Sequence, residues 1–181
     1  MRDPTPDCAS PDLQHPPMIP RPATLDDAPD LARILAACWA ETYPGMLPAP
    51  LVAARTPEVL LPLWRRVLAR PGVRVALLPA TGFAVMGPQR DPALATSHPA
   101  ELYSLHLRAA AQRRGLGRAL LAAVADGTPF SIAVIAANTR ARAFYEAAGA
   151  RLHALHPTDF DGYPIEEALY LHPGLPAADR C

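Results

Sequence analysis

Glu101-Leu102-Tyr103-Ser104-Leu105-His106-Leu107 alternates like a strand, and Gln112-Arg113-Arg114-Gly115-Leu116-Gly117 leads from it into the helical run Arg118-Ala119-Leu120-Leu121-Ala122-Ala123-Val124. A helix leaves its first N–H groups unpaired and carries partial positive charge there. A glycine-bearing entry therefore admits phosphate oxygens to the backbone. Gly115 and Gly117 carry no side chain, and Arg113, Arg114 and Arg118 surround the same point with fixed positive charge. Two familiar phosphate sites do not fit. A P-loop needs lysine, which the chain lacks; a dinucleotide fold needs a glycine where Leu120 stands and an acid near Ile135.

A second segment completes the pattern. Ala137-Asn138-Thr139-Arg140-Ala141-Arg142-Ala143-Phe144-Tyr145-Glu146-Ala147-Ala148-Gly149 holds the chain's only asparagine seven residues before a tyrosine. Seven residues make about two helical turns, so the amide and the phenol share one helix face about 10 Å apart.

The 181 residues suit one compact domain, half of them are hydrophobic, and seventeen arginines balance seventeen acids. Zero net charge offers no footprint for nucleic acid or an anionic membrane, so neither is expected as a partner. Cys8, Cys38 and Cys181 form neither a zinc spacing nor a disulfide framework, so no metal is expected and a reducing, cytoplasmic compartment is. Residues 1–17 are proline-rich without an apolar run, which predicts a disordered tail rather than a signal or anchor. Met18 reads as the start of the fold and as a candidate natural start of translation.

Thr24-Leu25-Asp26-Asp27 has the form of a capping box, with Leu31, Ile34, Leu35 and Cys38 following at helical spacing, which predicts a helix over 25–41. A second helical region runs to Arg70, interrupted at Pro57 and Pro62. Alternation predicts a hairpin through Val73–Leu77 and Phe83–Val85. There follow a strand at 101–108, a helix at 115–125, a strand at 130–136, a helix at 138–148 ending at Gly149, and strands at 151–157 and 164–172 around the turn-rich Thr158–Tyr163. The order predicts an α+β (mixed α/β) fold. Its central mixed, mostly antiparallel sheet has about seven strands, with about four helices on both faces.

The strand, Gln112-x-x-Gly115-x-Gly117, and Asn138 followed by Phe144-Tyr145-Glu146-x-x-Gly149 together resemble the GNAT superfamily of acetyl-CoA-dependent N-acetyltransferases. The match covers residues 101–150. The resemblance implies an acetyltransferase domain over 18–172 with a flexible tail at 173–181. It implies acetyl-CoA as cosubstrate between the fourth and fifth strands, its pantetheine paired with the backbone of Leu105, His106 and Leu107. Backbone amides of Arg113, Arg114, Gly115, Leu116, Gly117 and Arg118 would hold the pyrophosphate, Asn138 the pantetheine arm, and Tyr145 would stand near the sulfur. Two positions depart from the family. Ala133 replaces a glutamate found on the fifth strand in one subgroup, and Ala109 replaces the usual proline after the fourth.

Acetyl transfer to an amine needs a neutral nitrogen, an oxyanion donor and a proton for the thiolate. Tyr145 suits the last role, since a phenol near pKa ~10 can protonate a thiolate whose thiol is near ~8.5. Leu107 N–H is the oxyanion candidate, through a local strand distortion. Glu101 is the candidate base, with a solvated strand-end charge as the alternative; His106 reads as structural, and Asn138 equally as a helix N-cap. Trp39, Glu41, Tyr43 and Tyr163 are candidates for the acceptor pocket. The expected partner is a small-molecule or peptide amine acting on a monomer or homodimer, and the rival reading is a non-catalytic acyl-CoA-binding or regulatory module.

Overall fold

The computed structural model describes residues 18–175; the tail expected at 1–17 and most of that at 173–181 lie outside them. Strand β1 (Arg21–Pro22) leads through a 3-10 turn at Leu25–Asp27 into α1 (Ala28–Thr42). The Asp27 carboxylate accepts from the Thr24 backbone N–H at 2.8 Å, so the capping box works with aspartate at its far end. Helices α2 (Ala49–Ala53) and α3 (Pro57–Leu68) follow. The expected interruption at Pro57 is a helix start: Thr56 caps it, accepting from Val59 N–H, and proline fits the first position. Pro62 does not interrupt α3, which its buried Leu60 and Trp64 hold against the sheet despite the missing N–H.

Strands β2 (Arg74–Leu78), β3 (Gly82–Pro88), β4 (Ala100–Leu107) and β5 (Phe130–Ile135) come next, with a 3-10 turn at Ala109–Ala111 and α4 (Leu116–Val124) between the last two. After α5 (Thr139–Ala147) the chain closes with β6 (Arg151–Phe160) and β7 (Tyr163–His172). These last strands are longer than expected. Asp161 and Gly162, at φ 50° and 84°, make a two-residue turn whose twist suits a hairpin, so the ladder runs to the Phe160–Tyr163 pair.

Among the described residues, seven strands lie in the order β1-β2-β3-β4-β5-β7-β6, and β4–β5 is the one parallel neighbour pair. This is the α+β sheet expected, with five α-helices in the same residues because the second helical region divides. Strands β2 and β3 are buried on both faces. Val75, Leu77, Phe83 and Val85 meet Leu31, Ile34, Trp64 and their neighbours from α1 and α3, while Ala76, Leu78, Ala84 and Met86 meet Leu120, Leu121 and Val124 of α4. Phe83 is fully buried with Trp64 edge-on at 4.7 Å, so Phe83→Ala would cost about 3–5 kcal/mol. No helix among the described residues is long and apolar enough to cross a membrane.

Two irregularities position the site. Strands β4 and β5 pair only at Ala100–Leu102 with Phe130–Ile132 and then separate. Strand β4 also carries a bulge: Val85 pairs with Ser104 and Met86 with Leu102, leaving Tyr103 as the extra residue. The bulge shifts the phase of the strand, so that Ala100 and Leu102 before it, and Leu105 and Leu107 after it, all face the α4 layer.

Candidate active site

The gap between β4 and β5 exposes one edge of β4. Arg108 N–H donates to Thr81 O, which makes the residues in phase with that pair, His106 and Ser104, the hydrogen-bonding partners of β3. Leu105 and Leu107 therefore turn their N–H and C=O groups toward the gap. The His106 backbone is engaged by β3, so of the three residues expected to pair with a pantetheine it is the one whose N–H and C=O face away from the gap. The expected distortion lies at Tyr103, not at Leu107, yet Leu107 N–H still points into the opening.

Below the gap, Gln112 Nε2 donates to Leu107 O at 2.9 Å and ties the linker back to the strand. Glu41 fastens the same linker. Its carboxylate accepts from Arg108 Nε and from Ala109 N–H, each at 2.7 Å, and these bonds hold it below its usual pKa against the opposing effect of burial. Glu41 is thus a clamp on the linker rather than a wall of the acceptor pocket. It also sets the path that Ala109 takes in place of proline.

Arg113 and Gly115 both adopt left-handed backbone, at φ 60° and 78°. Such alternation turns successive N–H groups toward one side, the concavity that receives anions. No side chain caps α4 at Gly115, and a Cβ there would meet nothing within 4 Å, so the turn has open amides and open space. Two expected contributors have other duties. A Cβ on Gly117 would lie 3.1 Å from the Phe144 ring, so its missing side chain makes room for α5, while its backbone N–H stays among the unpaired amides of the first turn of α4. Arg118 donates to Ala147 O at the end of α5, leaving exposed Arg113 and Arg114 as the charges over the turn.

Asn138 caps α5: its Oδ1 accepts from Ala141 N–H at 3.1 Å, which leaves Nδ2 without a hydrogen-bond partner among the described residues. Tyr145 is 6% exposed, packed beside Phe144, and its hydroxyl has no hydrogen-bond partner among the described residues. Burial, and then the nearby Tyr43 phenol, push its pKa above the usual phenol range. Tyr43 belongs to the opposite layer, packed edge-on against Trp39 at 4.8 Å, and burial pushes it up to about 12.

Glu101 is 6% exposed and pairs with Ser131, one residue before the strands separate. Its carboxylate accepts from the Arg90 guanidinium and from Arg90 N–H at 3.2 Å, so it is a paired charge rather than a solvated strand end. It opens on a cavity of about 350 Å³ that also holds Ala133, His156 and Glu167. The His106 ring lies between Phe83 and Tyr43, and although the residue as a whole is half-buried, ring burial lowers its pKa to about 4. The ring is therefore neutral near pH 7. Tyr163 is exposed at the β6–β7 turn, away from Tyr145's layer. Among the described residues no group of histidine, cysteine or acidic side chains could hold a metal ion.

The sequence profile of the Acetyltransferase (GNAT) family matches residues 53–150, more than half of the chain. The chain belongs to the GNAT family. An acetyltransferase from Thermus thermophilus has the same fold at 25% identity and a TM-score of 0.60, over 86% of this chain and 96% of that one. The PaiA N-acetyltransferase of Thermoplasma acidophilum, solved with coenzyme A, aligns at 18% identity and a TM-score of 0.58, over 82% of this chain and 96% of that one. The YncA protein of Salmonella typhimurium, solved with its cofactor acetyl-CoA, aligns at 18% and 0.61, over 85% and 92%. No curated protein matches in sequence.

Sequence reasoning missed Arg90, Arg55 and Asp161. Arg90 stands eleven residues before the carboxylate it holds, in an irregular loop. Arg55 and Asp161 are paired across 106 residues, which no local pattern can indicate.

Proposed function

We propose that the protein is an N-acetyltransferase that moves an acetyl group from acetyl-CoA to the primary amine of a small molecule or peptide, by direct attack within a ternary complex. The observation that carries this reading is the parted β4–β5 edge, with the Leu105 backbone and the Leu107 N–H turned toward the gap, together with a Tyr145 hydroxyl that has no hydrogen-bond partner among the described residues. Family membership and coenzyme A in solved relatives support the cofactor. The open turn at 113–116 has the amides, the left-handed backbone and the two exposed arginines that a pyrophosphate needs, and Asn138 Nδ2 remains available for an amide-rich arm. The first-turn amides of Gly117 and Arg118 would extend this cradle, while the Arg118 guanidinium braces it against α5.

Acetyl-CoA would supply a thioester. Leu107 N–H stabilises the negative charge that grows on the carbonyl oxygen during attack. Tyr145 gives its proton to the departing sulfur; its raised pKa keeps it protonated throughout the neutral range, ready for that transfer. Glu101 receives the proton of the amine, directly or through water in its cavity, while Arg90 fixes its orientation. We place the activity in the cytoplasm, in a monomer or homodimer. A screen of amines and peptide N-termini for thiol release from acetyl-CoA tests the reading. Coenzyme A binding without thiol release for any acceptor would favour an acyl-CoA-binding module instead.

A further inference from the structure

Arg55, between α2 and α3, sets its guanidinium carbon 4.8 Å over the Trp39 ring and 5.9 Å from that of Phe160, and pairs with Asp161 at the β6–β7 turn. The partners differ in setting. The Arg55 side chain is 22% exposed and walled by aromatic rings, whereas Asp161 is 54% exposed on a two-residue hairpin tip. From Arg55 the rings run inward: Trp39 meets Tyr43, and Tyr43 meets His106, which stands between Leu105 and Leu107 on the strand that borders the gap. A cation fixed at the outer end of such a wall, with an exposed hairpin-tip carboxylate as its anion, is built to exchange partners.

We infer that Arg55 is the specificity residue for the acceptor, and that the acceptor is an amine bearing a carboxylate, which displaces Asp161 when it binds. The inference rests on the acetyl-transfer reading above. The planar guanidinium accepts a carboxylate in two-point fashion, and the flanking rings keep its face dry and its direction set. Exposed ion pairs add little net stability, so the exchange of one carboxylate for another is inexpensive. The Trp39 ring stands between Arg55 and Tyr43, so a carboxylate on Arg55 would lie at the outer end of the wall, and an acceptor with its amine and acid at opposite ends, such as a short peptide, suits it.

The test uses the full chain and two acceptors that differ at one end only, a short peptide acid and the same peptide as its C-terminal amide. The parent should favour the acid by about tenfold or more in kcat/KM. Arg55→Ala should slow the acid far more than the amide, so that the ratio falls toward one, and Arg55→Lys should retain part of it. Asp161→Ala should raise kcat/KM for the acid, whereas loss of a mere brace would lower both variants on both acceptors alike. Calorimetry with the N-acetylated acid and amide keeps this inference separate from the reaction. Carboxylate-dependent binding that Arg55→Ala abolishes, without turnover, would reject acetyl transfer and sustain the Arg55 site; turnover or binding indifferent to the carboxylate would overturn the Arg55 site alone.

Discussion

Gly117 lies under Phe144, so close that a Cβ would stand 3.1 Å from its ring. The second glycine of the turn is therefore a helix-packing residue, and a large substitution there would disturb α5 whether or not phosphate binds. Gly115 gives the clean test of the turn. Its left-handed backbone tolerates asparagine and aspartate better than other residues, and its missing Cβ faces open space. Gly115→Asp should weaken coenzyme A binding about tenfold or more beyond Gly115→Asn, which matches it in size and strain but not in charge. Equal affinities by calorimetry would move the pyrophosphate elsewhere.

Tyr145→Phe should leave the fold intact, because the lost hydroxyl has no partner to orphan among the described residues. Coenzyme A affinity should hold while turnover falls by roughly ten to ten-thousand-fold, the smaller loss allowing water to serve as acid. Turnover equal to that of the parent under chemistry-limited conditions would remove the phenol from the mechanism.

Glu101→Gln separates the base from the brace. Arg90, its guanidinium partner, has a side chain 57% exposed, so the variant leaves that cation in water rather than buried alone. A base role predicts the largest loss at neutral pH and partial recovery in alkali, where free amine forms unaided. A pH–rate profile lowered by one factor throughout would assign Glu101 to orientation only.

His106 should make stability depend on pH. Its folded pKa is about 4 and its unfolded one near ~6.5, so between these values the unfolded chain binds more protons and stability falls as pH falls. The slope from one such group is at most about 1.4 kcal/mol per pH unit. Denaturant titrations at several pH values should show this loss in the parent and a flatter profile in His106→Phe. Identical profiles would mean that the ring is already open to protons in the fold.

Much of this was legible in residue order, because periodicity and turn chemistry act over a few residues. The alternation of β2 and β3, the Asn138 cap, the open turn at Gly115 and the placing of Tyr145 all belong to that class. What escaped notice depends on strands that meet only after folding. The Tyr103 bulge exists only relative to β3, and the engagement of His106 by Phe83 follows from that register. The bond of the Arg118 guanidinium to the end of α5, and the grip of Glu41 on the linker, likewise join segments far apart in the chain.

The Glu41 clamp has a kinetic meaning. One carboxylate at the end of α1 grips the linker that launches the phosphate turn, and it also feels Arg140 in the first turn of α5. Helix α1 also carries Trp39, the ring under Arg55, so the fastening of the linker and the outer aromatic wall belong to one helix. If the turn and the aromatic wall bind the two substrates as proposed, Glu41→Gln should loosen both at once, and the order in which the substrates arrive would be set at α1.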